Sequence, residues 1–160
     1  MKIEEPNSGI YLLELFADNE FSISNTKFKN VTFPKGFYYY IGSAQKNLKS
    51  RVLRHISAEK KIHWHIDYLT THKSANITKV FIFPNAEKHF EAEIANNFCN
   101  YFGTKIIVEG FGNSDTKETK SHLFFKNKTI PLSLIHKFYP KFEIFRNNGK
   151  SERWNLGKVE

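Results

Sequence analysis

In the N-terminal part of the chain, apolar residues gather in short runs bounded by turn-forming residues, the pattern of strands. Residues 9–16 (GIYLLELF) and 20–25 (EFSISN) read as strands about a turn at Asp18-Asn19. Lys27 to Phe33 either continues the second strand or forms its own. Pro34-Lys35-Gly36 is a turn signal, and Phe37 to Gly42 is a third, aromatic-rich strand. A meander of antiparallel strands is expected, in which Tyr11 and Tyr40 meet if both point to one face.

The period then changes. Leu48, Val52 and Ile56 at i, i+4, i+8 predict a helix to about Ser57, capped by Ser43 or Asn47. A second helix is predicted from Ile62 to His72, with Ile66 and Leu69 as its apolar positions. Asn76 to Phe83 reads as a strand ended by Pro84. Asn85 caps a predicted helix Glu87 to Tyr101, striped by Phe90, Ile94 and Phe98. Lys105 to Val108 is a short strand, Gly110 to Lys120 a loop, and His122 to Phe125 a final strand. Pro131 sits near the first turn of a closing helix, Thr129 to Phe138. From Pro140 onward periodicity weakens, and the segment carrying Trp154 is either a packed arm or a loose tail. The expected class is α+β: a small, mainly antiparallel sheet flanked by helices, with one domain over 1–138 and a C-terminal arm over 139–160.

At 160 residues the chain can bury one core, and its 16 Phe, 7 Tyr and 2 Trp predict a core of large rings. The net charge of +8 suits either a polyanionic partner or simple solubility. The single cysteine, Cys99, excludes an internal disulfide framework and fits a reducing cytoplasm; its expected place is a packed helix face. The opening MKIEEPNSG has acids and a proline where a signal peptide needs an apolar stretch. No run approaches the roughly 20 apolar residues of a membrane span. A soluble, cytoplasmic protein with no membrane partner is expected.

Hydrolysis of a phosphodiester needs an activated water, a cation on the phosphate and charge stabilisation in line with the leaving oxygen. Arg51 and His55, at i and i+4, share a helix face beside the apolar stripe, and an arginine can hold a phosphate bidentately. The same pair also suits a plain solvated basic face. Two tyrosines on neighbouring strands, Tyr11 within Gly9-Ile10-Tyr11 and Tyr40 within Tyr40-Ile41-Gly42, would complete a polar cluster with them.

The order and spacing of these two tripeptides resemble the GIY-YIG nuclease family, which is named for them. In that family the second tripeptide precedes a helix carrying an arginine and, one turn later, a histidine or tyrosine, matched here by Arg51 and His55. A later helix of the family carries a metal-binding glutamate, for which Glu91 is preferred and Glu93 is the alternate. FPKGFYYYIGSA, RVLRH, KKIHWHIDYL, EAEIA, GFGNSD and SHLFF occur in this order in a small branch of the family, sometimes fused to a base-excision repair enzyme. The similarity runs from Gly9 to about Phe125. The branch often has cysteines just after the SD pair, where this chain has Thr116 and Glu118, so a thiol-dependent metal site is not expected there.

The resemblance implies a sandwich fold and a metal-dependent DNA endonuclease, in repair or DNA processing. Tyr11 would serve as or assist the general base, with His55 or the metal's field lowering its pKa. Tyr40 would position water or phosphate, Arg51 would stabilise the transition state, and Glu91 would bind one Mg²⁺ (or Mn²⁺). The alternative is a module of the same fold that binds nucleic acid or a repair complex without cutting.

His63, His65 and Asp67 in HWHID make a poor joint metal site on a helix, because His65 points away from the other two. A zinc hydrolase would also want cysteines or a further histidine. Hydrogen bonds from His63 and Asp67 holding the loop Gly110 to His122 are one reading, and substrate contact is the other. The GFGNSD loop lacks the lysine-serine pair of a P-loop and is read as a turn bordering the cleft. Arg54, Ser114, Asp115 and His122 complete the set of possible substrate-binding or supporting residues.

Overall fold

A computed structural model describes residues 7–113 and 118–146. They form a five-stranded sheet of order β4-β2-β1-β3-β5, antiparallel throughout. The strands are β1 (Gly9–Ala17), β2 (Gly36–Ala44), β3 (Ala75–Pro84), β4 (Leu123–Lys126) and β5 (Glu143–Arg146). The helices are α1 (Leu48–Ile56), α2 (Asp67–Thr70), α3 (Phe90–Tyr101) and α4 (Leu132–Phe138).

Alternation along the strands sorts the apolar side chains into two cores. Tyr11, Leu13, Leu15, Tyr38 and Tyr40 face one way, against Leu48 and Val52 of α1 and Leu69 of α2. Ile10, Leu12, Tyr39 and Ile41 face the other, against Ile94 and Phe98 of α3 and Ile135 of α4. The expected α+β class with helices on an antiparallel sheet holds, as three layers.

The strand expected over 20–25 is absent. Only Phe21 pairs, in an isolated bridge to Phe33, and 26–30 is a turn. Both edges of β1 are already taken by β2 and β3, so this segment cannot pair with β1 as a hairpin. Lys105 likewise makes one bridge, to Phe125, in place of a strand. The helix expected over 62–72 shrinks to α2. The helix expected from Glu87 begins at Phe90; Asn85, at φ 61°, caps nothing and belongs to the preceding turn. Phe90 is exposed rather than part of the buried stripe, and Cys99 is an exposed thiol rather than a core one. Beyond Phe138 the chain packs: β5 pairs with β3, and Phe142, Ile144 and Phe145 are buried. Trp154 lies outside the described residues. Among the described residues no helix is long and apolar enough to cross a membrane.

On the α3 and α4 side, Glu14 is buried and fully engaged. Its carboxylate accepts from Tyr39 at 2.7 Å, from Thr129 at 2.8 Å and from Thr78 at 2.7 Å, with Lys79 at 3.6 Å. The network ties three strands to the segment entering α4 and satisfies a charge that burial would otherwise penalise.

Candidate active site

Tyr11 stands opposite Gly42 across the β1–β2 pair, and Leu13 opposite Tyr40, so the two tyrosines are diagonal neighbours on one face. The glycine matters here: a Cβ at Gly42 would run into the Tyr11 ring and hydroxyl. Gly112 does the same for Tyr40. Its φ of 76° suits glycine, and a Cβ there would stand 2.7 Å from the Tyr40 ring.

The α1 stripe of Leu48 and Val52 turns His55 inward, and its Nε2 lies 2.9 Å from the Tyr11 hydroxyl. Burial, with Lys60 adding repulsion, lowers the His55 pKa to about 3, so the imidazole is neutral at neutral pH. Its Nδ1 is buried without a partner among the described residues. A bare acceptor is cheaper to leave unpaired than an N–H. The favoured tautomer therefore has Nε2 donating to Tyr11, which frees the phenolic hydrogen to point into the cleft. Burial raises the Tyr11 pKa above its ordinary value, opposed chiefly by the charge of Arg51. Tyr40 is raised too, by burial first and then by Tyr11. A neutral imidazole offers Tyr11 no positive field and can favour its phenolate only through the Nε2 hydrogen bond; the cation at hand is Arg51.

Arg51 donates from Nη1 to the Ser43 carbonyl at 2.8 Å, and its guanidinium lies 5.1 Å over the Trp64 ring. It also reaches the Tyr11 hydroxyl by a hydrogen bond. Alternation puts the Ser43 side chain on the α3 side of the sheet, toward Glu91, whose carboxylate it helps keep ionised. Ser43 thus joins the two layers at the mouth of the cleft. The Glu91 Oε1 also lies 3.0 Å from His122 Nδ1. Burial alone would raise the Glu91 pKa, but the bonds from His122 and Ser43 outweigh it and hold the carboxylate below its ordinary range.

These groups line one cleft of about 390 Å³, with Tyr11, Tyr40, Arg51, Glu91, Lys88 and Trp64 on its walls together with His63 and His65. Glu93 is instead exposed and borders an apolar groove beside Phe83 and Tyr139. Ser114 and Asp115 lie outside the described residues.

The HWHID segment departs from expectation. His63 to Ile66 is not helical, because Asp67 accepts from the backbone N–H of both His63 and Trp64, each at 2.9 Å. The Asp67 carboxylate is fully buried and takes a bidentate bond from Arg54 at 2.9 and 3.0 Å. Burial would raise its pKa, but Arg54 and the two amides hold it below the ordinary value. The loop 110–113 is pinned by His65, whose Nδ1 accepts from the Gly112 N–H at 2.9 Å, and not by His63 or Asp67. Arg54 supports this segment and packs 4.5 Å over Trp64.

Trp64 and Lys88 were not among the residues read as site candidates from the sequence, and Ser43 was read only as a helix cap. Trp64 sits inside a motif that was, and an indole between two histidines was the available signal. Lys88 carried none.

Glu91 is the only carboxylate lining the cleft among the described residues. No group of three or more His, Cys, Asp or Glu among them could hold a metal, so a zinc set is not assembled there. Mg²⁺ is a different case. It keeps most of its waters and takes one or two carboxylates plus a substrate phosphate, which an ionised glutamate opening on an Arg- and Lys-lined cleft fits.

The family described as domain of unknown function DUF123 matches residues 10–144. No curated protein and no solved structure matches the chain.

Proposed function

The chain belongs to the DUF123 family, and we propose that it is a metal-dependent DNA endonuclease of the GIY-YIG type. The observation that carries this reading is the convergence of Tyr11, Tyr40, Arg51 and Glu91 on one cleft, with the Tyr11 hydroxyl bonded to a neutral His55. Mg²⁺ or Mn²⁺, one ion, would be held by Glu91 and would supply Lewis-acid stabilisation to the phosphate. Arg51 binds and orients the scissile phosphate. Its charge lowers the cost of the Tyr11 phenolate: Tyr11 first gives its hydroxyl proton to water in the cleft, and the phenolate then takes a proton from the attacking water. His55 fixes the Tyr11 hydroxyl through its Nε2, and Tyr40 walls the water's side of the cleft. A reducing cytoplasm and a role in repair or DNA processing are in keeping with this activity.

The second reading, a module that binds nucleic acid or a repair complex without cutting, draws on Glu91 being the one carboxylate of the cleft among the described residues. One assay decides between them: labelled single-stranded, duplex and branched DNAs incubated with Mg²⁺ or Mn²⁺. Cleavage should be lost in Glu91→Ala, with DNA binding kept. It should slow by roughly 10²–10⁴ in Tyr11→Phe, the range of a general base. Binding without cleavage by the wild type would select the second reading. Undiminished cleavage by both variants would refute the site.

A further inference from the structure

We propose that the cleft takes an unpaired DNA strand, with His63 and Trp64 as the stacking platform for a base next to the scissile phosphate. This rests on the nuclease reading above and names its substrate class. His63 and Trp64 line the same cleft as Tyr11 and Glu91. Their rings meet edge to face at 5.1 Å, and His63 is exposed. Trp64 is packed on one side by α1, with the Arg54 guanidinium 4.5 Å and the Arg51 guanidinium 5.1 Å from its ring. Half-buried Trp64 itself lines the cleft.

The platform is rigidly built. Both backbone amides of the dipeptide donate to Asp67, which is itself fully buried and clamped by Arg54. Two backbone bonds and a half-buried ion pair hold this cleft-lining aromatic pair in place. Arg51 is the cation for the phosphate and also touches the indole, so a phosphate held there leaves its nucleoside beside Trp64. A base within a duplex has both π-faces covered by its neighbours. Only an unpaired one can lie on an aromatic side chain, and such stacking tolerates any sequence because every base has a π-face.

The test measures the affinity of the full-length protein for a labelled single strand and for the matching duplex, without divalent cation, for wild type and three variants. The wild type should bind the single strand more tightly. Trp64→Leu should lose roughly 5- to 100-fold on the single strand and little on the duplex, and Trp64→Phe should restore most of the loss. His63→Ala alters an exposed ring, so it tests the platform even if Trp64→Leu fails to fold; it should show the same selective loss. Equal losses on both DNAs, or no preference by the wild type, would overturn the platform while leaving the nuclease reading intact. Selective binding with no cleavage of any DNA in Mg²⁺ or Mn²⁺ would keep the platform and sink the nuclease.

Discussion

A phenol and an imidazole that meet in a core are both held neutral by their burial. Burial pushes Tyr11 up and His55 down, so a proton passed from one to the other would climb steeply in free energy. Charge must come from outside the pair, which is what Arg51 and a bound cation supply. The same physics sets a stability signature. Unfolded, His55 titrates near its ordinary value of about 6.5; folded, it does so at about 3. Between these values the unfolded chain binds a proton that the native one refuses, so stability falls as pH drops, by about 1.4 kcal/mol per unit. His65, also lowered by burial, acts in the same direction. Glu91 and Asp67 lose their contributions only at lower pH, in the carboxylate range. Urea midpoints should therefore drop between about pH 6.5 and 4.5, and His55→Gln, which keeps a donor for Tyr11, should flatten much of that drop. Parallel curves for the two proteins would show that the imidazole titrates normally.

At the scale of elements, the sequence was legible where one local pattern had one tertiary answer. β1, β2 and β3 carry dense apolar runs, and each finds two neighbours in the sheet. The α1 stripe predicted the burial of Leu48 and Val52, and with it the inward turn of His55. Legibility failed where a side chain or a topological limit competed with propensity. EFSISN has a strand's pattern, but β1, its neighbour in the chain, has no free edge for it to join. KKIHWHID has helical spacing, but Asp67 takes the amides a helix would have used. Glu91 and Glu93 were separable only once the helix was placed against Ser43. The short β5 gave almost no periodic signal, yet Phe145 enters the α1-side core while Phe142 and Ile144 enter the α3-side core. Burying each such side chain contributes about 1.5–3 kcal/mol, which together approaches the whole stability of a small domain. Ending the chain after Phe138 should thus abolish a cooperative thermal melt followed by circular dichroism. A truncated chain melting close to the intact one would reduce β5 to an ornament on the sheet edge.

At the scale of the whole molecule, the sheet separates two tasks. One side carries the cleft, and the other carries the Glu14 network that locks the strands beneath it. The net charge of +8 could serve either solubility or a polyanion, and salt dependence distinguishes the two. Each phosphate neutralised on a single strand contributes about −0.7 to the slope of log affinity against log salt. Among the described residues two cations line the cleft directly, Arg51 and Lys88, so binding through these alone gives about −1.4. A surface that follows the strand beyond the cleft makes the slope steeper, and that is the expected result for the wild type between about 50 and 200 mM salt. Lys88 is exposed on the cleft wall, so Lys88→Gln should leave the fold untouched and make the slope shallower by about 0.7, with weaker binding to every sequence alike. A wild-type slope near zero would leave the basic surface as a matter of solubility. An unchanged slope in Lys88→Gln would move the strand's path away from the α3 rim of the cleft.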